Sequence, residues 1–143
     1  MGGETSEPGD TSRLFDVEAN IVAGAVRKRR REFAAVRVCT RRALVQLGVG
    51  ARPIANGSGG EPLRPEGVMG SMTHCDGYAA AVVARATAHS LSLGVDAEPE
   101  GALPEGVLAG IALEAERDAL DALHASRPDV CWDRLLFSVK ESV

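Results

Sequence analysis

The stretch "VMGSMTHCDGYAAAVVARA", residues 68–86, decides how the rest of the chain reads. Its centre, Asp76-Gly77, is a turn dipeptide, and small and β-branched residues flank it on both sides, which predicts a β-hairpin. Upstream the period changes. From about Asp16 to Leu47, Val36, Thr40, Ala43, Leu44 and Leu47 recur at three- and four-residue spacing and Gly48 offers a stop. A helix is expected there, with a break near Val26–Lys28. Between helix and hairpin, "GARPIANGSGGEPLRPEG" (50–67) is loop by its glycine and proline content. Downstream, "LSLGVDAE" (91–98) reads as a further strand and "LPEGVLAGIALEAERDALDALHA" (103–125) as two short helices, the second from about Leu113. "PDVCWDRLLFSVKESV" (128–143) reads as an amphipathic helix with Pro128 in its first turn. The opening "MGGETSEPGDTS" (1–12) is small and polar and is expected to be a disordered tail. Together these readings give an α+β chain with an antiparallel element of at least three strands.

The composition narrows the function classes. With 143 residues the chain can bury a core of its own. Aromatic residues are 3% of the chain, too few for extensive base stacking on nucleic acid. No apolar run approaches the ~18 residues of a membrane span, and no secretory pattern opens the chain. Three unevenly spaced cysteines, Cys39, Cys75 and Cys131, form neither a disulfide framework nor a zinc pattern and point to a reducing, cytoplasmic location.

Charge is less even than the net value of −4 suggests. Arg27, Lys28, Arg29, Arg30, Arg31, Arg37, Arg41 and Arg42 are eight of the sixteen basic residues, and Glu32 is the one acid among them. Arg29, Arg37 and Arg41 are spaced to share a helix flank. A solvated helix face, a phosphate-rich ligand and a nucleic acid all remain readings of this cluster. His74, next to Thr73 at the end of the first hairpin strand, is either structural or a donor to phosphate. Cys75 adjoins it, but strand neighbours point to opposite faces, so a Cys–His nucleophile is disfavoured. On the expected strand 91–98, Asp96 and Glu98 share a face, where two like charges repel unless a cation lies between them. On the last helix Trp132, Leu135, Leu136, Val139 and Val143 make one stripe and Glu141 lies opposite. Glu141 is then a solvated acid, or it faces a site shared with Asp96 and Glu98.

"GVDAE" (94–98), followed about forty residues later by "WDRLLFSVKES" (132–142), resembles the paired signatures of the 4′-phosphopantetheinyl transferases, the Sfp/EntD class and its actinobacterial members in particular. "RRREFAAVRVCTRRALVQLGV", "GGEPLRPEGVMGSMTHCDGYAAAVVA" and "LPEGVLAGIALEAERDAL" agree with it, so the resemblance covers about residues 13–143. It implies a transferase that moves 4′-phosphopantetheine from coenzyme A onto a serine of an acyl or peptidyl carrier protein and releases adenosine 3′,5′-bisphosphate. It also implies Mg²⁺ on Asp96, Glu98 and Glu141, with Glu141, directly or through a metal-bound water, taking the serine proton. Arg29, Arg37, Thr73 and His74 would bind coenzyme A phosphates and Lys140 the pyrophosphate. Arg41, Arg42 and Arg52 would give electrostatic support. The implied enzyme is cytoplasmic and monomeric, binds neither nucleic acid nor membrane, and serves fatty-acid, polyketide, siderophore or peptide assembly.

The family's fold is two pseudo-symmetric halves. On that pattern, residues 1–12 are the tail, 13–90 a complete first half, and 91–143 the start of a second half with its metal-site strand and catalytic helix. The family's lysine one turn after the motif glutamate would fall beyond Val143, so the chain is expected to be a C-terminally truncated, inactive fragment. Asn56 stands where relatives carry a basic phosphate contact, and Arg64 where a tryptophan is common. The other reading is a non-catalytic basic module that binds a polyanion or nucleic acid through residues 27–42.

Overall fold

A computed structural model describes residues 1–90 and 92–142. The chain divides into two compact units, Met1–Ala97 and Glu98–Val143. The first holds three strands, β1 (Gly2–Thr5), β2 (Val68–Cys75) and β3 (Tyr78–Arg85), with α1 (Asp16–Ile21) and the long α2 (Arg27–Gln46). The second holds α3 (Val107–Ile111), α4 (Glu114–Ser126) and α5 (Trp132–Glu141).

The hairpin forms where its turn dipeptide places it. β2 and β3 pair antiparallel from Val68↔Arg85 to Cys75↔Tyr78, leaving Asp76 and Gly77 as the two turn residues. Gly77 has φ of 75°, and Asp76 is not in the positive-φ region. A lone positive φ at the second central position is the pattern that asks for glycine. α2 packs on one face of the sheet because its small and β-branched residues face it. Ala35, Val36 and Cys39 meet Ala79 and Ala81, while Ala43 and Leu44 meet Val49, Ile54, Val68 and Val83. The expected break near Val26 is present, with Val26 extended at ψ 155° between the two helices.

Three expectations differ from the structure. Residues 2–5 are a strand, not a disordered tail: β1 pairs antiparallel with β3, giving the sheet order β1-β3-β2. Its short polar sequence hides this because the stabilisation comes from the ladder and from fit. A Cβ on Gly3 would lie 2.5 Å from the Cys39 carbonyl oxygen, so only glycine lets β1 approach α2 so closely. Residues 92–97 do not form the expected strand. They meet β2 through its hydroxyls instead: Ser71 Oγ donates to Val95 O at 3.4 Å, and Thr73 Oγ1 accepts from Ala97 N at 3.0 Å. Leu91, the first residue of that expected strand, lies outside the described residues. Pro128 is four residues ahead of α5, in a turn that the Arg127–Asp129 pair at 2.9 Å closes, rather than in the helix's first turn.

In the second unit α5 anchors its surroundings by its first turn. Asp133 Oδ2 accepts from Leu103 N at 2.9 Å, and Arg134 donates to the carbonyls of Gly101 and Ala102 at 3.0 and 2.7 Å. The apolar stripe is partly bare, with Leu135 48% and Val139 62% exposed. Val143, which continues it, lies outside the described residues. Among the described residues no helix is long and apolar enough to cross a membrane.

Candidate active site

β2 alternates between two kinds of neighbour, as a strand must. On the face toward α2, Met72 and His74 meet arginines. Arg37 Nη1 donates to Met72 Sδ at 3.4 Å, and Arg29 Nη1 lies 2.8 Å from His74 Nε2. A guanidinium can only donate, so His74 Nε2 acts as the acceptor there. On the other face, Thr73 Oγ1 donates to Asp96 Oδ1 at 3.0 Å while accepting from Ala97 N. One hydroxyl thus fixes both the side chain and the backbone around Asp96. The first unit therefore collects Arg29, Arg37, Thr73, His74 and Asp96 along a single strand, two cations on one side and a carboxylate on the other.

The start of α2 places cations where the helix dipole is itself positive, an arrangement unfavourable by roughly 0.3–1 kcal/mol per charge unless anions answer it. Partial answers are present. Lys28 pairs with Asp76 at 3.0 Å, and the Glu32 carboxylate lies 3.9 Å from Arg29 and 3.4 Å from His74. A cavity of about 520 Å³ opens beside this end of the helix, lined by Pro8, Arg27, Lys28, Arg31, His74 and Tyr78. Neither Arg37 nor Asp96 lines it.

Arg37 is held differently. It is 5% exposed, its guanidinium lies 4.2 Å over the Phe33 ring, and Nη2 donates to Asn56 Oδ1 at 2.7 Å. Burial pulls its pKa down from the usual guanidinium range to about 10, opposed by the Glu18 charge and reinforced by Arg41 and Arg29. Among the described residues two buried side-chain polar atoms lack a hydrogen-bond partner: Arg37 Nε and Asp96 Oδ2. One is a cationic donor and the other an anionic acceptor. Leaving such a group unpaired costs on the order of 1–3 kcal/mol, so each is poised for a partner that the chain itself does not supply.

Arg41, one turn after Arg37, shows the opposite case. Its Nη1 donates to both oxygens of Glu18 at 2.9 and 2.8 Å and its Nη2 to Arg13 O at 2.7 Å. Glu18 is fully buried and also accepts from the backbone N–H of Phe15 and of Ile54, each at 3.0 Å. The electrostatic support expected of Arg41 is directed inward, at Glu18. Sequence reasoning missed Glu18 because it lies 23 positions from Arg41 and no periodic signal links the two.

In the second unit Glu98 accepts from Arg134 Nη1 at 3.0 Å, Lys140 pairs with Glu116 at 2.8 Å, and Glu141 is exposed on α5. Asp96 and Glu98, expected to share one cation, have separate partners here. Arg134 was not foreseen, although it falls inside the "WDRLLF" motif. Among the described residues no group of three His, Cys, Asp or Glu side chains is gathered so as to hold a metal ion.

Residues 17–84 match the family described as 4′-phosphopantetheinyl transferase N-terminal domain. That stretch runs from α1 to β3 and carries Arg29, Arg37, Thr73 and His74. Over that stretch the chain is similar to the 4′-phosphopantetheinyl transferases. Among its relatives, Svp of Streptomyces mobaraensis is 58% identical over 97% of this chain and 56% of its own length. PptT of Mycobacterium tuberculosis is 50% identical over 87% of this chain and 54% of its own, and Npt of Nocardia iowensis 46% over 91% and 57%. All three are 4′-phosphopantetheinyl transferases. The chain spans little more than half the length of these relatives.

Proposed function

We propose that this chain carries the coenzyme A- and metal-binding residues of an enzyme that transfers 4′-phosphopantetheine to a carrier-protein serine. The observation that carries the reading is the pair of orphaned buried atoms, Arg37 Nε and Asp96 Oδ2. Coenzyme A offers phosphate oxygens to the first. A hard divalent cation suits the second, since Mg²⁺ takes oxygen ligands and commonly joins carboxylates to phosphates. Asp96 would hold the ion with Glu98 and Glu141. Mg²⁺ when bound would supply the positive charge that the departing 5′-phosphate of adenosine 3′,5′-bisphosphate needs.

The chain's own residues do the rest. Arg37, fixed between Phe33 and Asn56, donates to a phosphate without having to reorganise. Arg29 and His74 bind a second phosphate position roughly 12 Å along α2. Thr73 acts through Asp96, holding Oδ1 so that Oδ2 is left without a protein partner. Lys140 faces the pyrophosphate, and Glu141 takes the proton of the carrier serine. The serine oxygen forms a bond to the phosphorus of the phosphopantetheine arm as the bond to the bridging oxygen breaks, and adenosine 3′,5′-bisphosphate departs. Acyl and peptidyl carrier proteins of fatty-acid, polyketide, siderophore or peptide assembly fit as acceptors, and a monomer in the cytoplasm fits as the setting. With Arg37 buried, Arg41 tied to Glu18 and Lys28 to Asp76, the basic run has fewer free charges than a nucleic-acid surface would use.

Calorimetry with coenzyme A, with and without Mg²⁺, tests the binding part of the reading. Affinity that rises with Mg²⁺ supports it; no binding in either buffer refutes it. Mass spectrometry of a carrier protein incubated with the chain, coenzyme A and Mg²⁺ tests transfer directly.

A further inference from the structure

We propose that Glu18 is a positioning residue for the Arg37 anion site, acting through the backbone at Ile54 and the side chain of Asn56. This rests on the reading of Arg37 as a coenzyme A contact. Glu18 Oε1 accepts from Ile54 N at 3.0 Å, and Ile54 is itself 2% exposed in the core. Two residues on, Asn56 Oδ1 accepts from Arg37 Nη2 at 2.7 Å. The intervening loop is stiff: Asn56 bridges to Pro62, Leu63 N donates to Ala55 O at 2.8 Å, and Gly57 N donates to Glu61 O at 2.7 Å. A displacement at Ile54 is therefore passed to Asn56 and from there to Arg37, which has no carboxylate within ion-pair distance among the described residues.

The same carboxylate also acts through space, for the Glu18 charge is the leading influence that holds Arg37 in its cationic form against burial. Glu18 is thus attached to the anion site twice, once by bonds and once by field. Arg41 has a matching part. By closing both Glu18 oxygens it fixes the carboxylate that fixes the loop.

The test uses the full chain and two readouts that a purely structural role would leave unchanged. The Arg37 Nε–H resonance in a ¹⁵N correlation spectrum reports its surroundings without ligand, and calorimetry reports coenzyme A affinity. Asn56→Ala cuts the last link while leaving the buried pair intact, and Glu18→Gln cuts the first. Each is expected to move the Arg37 resonance and to weaken coenzyme A binding about tenfold, the loss expected for a hydrogen bond to a charged group. The double variant should be no worse than the poorer single one, because the two act in series. If Glu18→Gln does not fold, Glu18→Asp keeps the charge and draws it back from Ile54 N, and should give the same two changes. An unmoved resonance with affinity within about twofold in Asn56→Ala, or additive losses in the double variant, overturns the proposal. Failure of the unsubstituted chain to bind coenzyme A would instead overturn the assignment of Arg37; the resonance would still report whether Glu18 positions it.

Discussion

Arg37 and Arg41 are one turn apart on α2, both largely buried, and their surroundings are opposite. Around Arg41 the polar atoms are matched: two carboxylate oxygens and a backbone carbonyl receive the guanidinium, and two backbone N–H groups complete the carboxylate. Around Arg37 the guanidinium has an amide oxygen, a thioether and an aromatic face, with Nε left over. The first arrangement is finished and the second is open. Burial by itself therefore says little about a charged residue's role; the state of its last hydrogen bond says more.

The largest effect should come from opening the finished side. Arg41→Met leaves Glu18 as an uncompensated buried charge, which should cost about 3–5 kcal/mol in urea unfolding. A loss under about 1 kcal/mol would mean that the pair is a surface bridge in disguise. Arg37→Met should behave in the contrary way. It should weaken coenzyme A binding by at least ~1.5 kcal/mol while leaving the unfolding midpoint equal or higher. The sign of its pH dependence follows from burial. The folded-state pKa, about 10, is below the ordinary guanidinium value, so the charged form is the disfavoured one in the fold. Below about pH 10 the native protein carries that penalty in full, and it is relieved as pH climbs from there toward the ordinary value. The stability advantage of Arg37→Met should therefore be flat through neutral pH and shrink only in that alkaline window. An advantage that fades between pH 6 and 8 would point to another group.

Asp96→Asn extends the contrast to the carboxylate. The amide oxygen can still accept from Thr73, so the fold should survive, but the open atom loses its charge. Coenzyme A affinity should lose its response to Mg²⁺, a change of about tenfold or roughly 1.4 kcal/mol. A retained Mg²⁺ response would remove Asp96 from the metal set. The smallest effect concerns a finished contact at the surface. Tyr78, the chain's single tyrosine, donates its hydroxyl to Glu4. That bond, first among the causes, raises the phenol's pKa above 10. The contact's support is thus present below pH 10 and lost as pH rises through the raised value. Ultraviolet titration should show the raised midpoint in the native chain and a return toward the ordinary value in Glu4→Gln. Equal midpoints would undo the docking of β1 seen here.

These contrasts also explain what the sequence could and could not reveal. The hairpin and α2 were legible because their signals are local: a turn dipeptide with strand formers on either side, and a three-to-four-residue period from Val36 to Leu47. The motif acids were legible by resemblance, through "GVDAE" and "VKES". Glu18 was not, because its partners are 23 and 36 positions away and no short window contains both ends. The expected strand at 91–98 came from an apolar alternation that residues 92–97 satisfy without a backbone ladder, since Ser71 and Thr73 side chains serve them instead. β1 was hidden for the reverse reason: its glycines look like a tail, and one of them, Gly3, is required by a close approach that sequence does not display.

The order of strands in the sheet has a temporal consequence. β1 pairs with β3, and the Met1 ammonium donates to Val83 O across 82 positions. The hairpin closes through a two-residue turn and can form on its own account, whereas β1 has to find residues 79–82 far along the chain. Contacts of such separation form slowly because the intervening chain must first be ordered. The β1–β3 ladder is thus expected to form after the hairpin, and until then the β3 edge that receives β1 is unpaired. Whatever slows the chain between α2 and the hairpin lengthens the interval in which that edge can capture another chain.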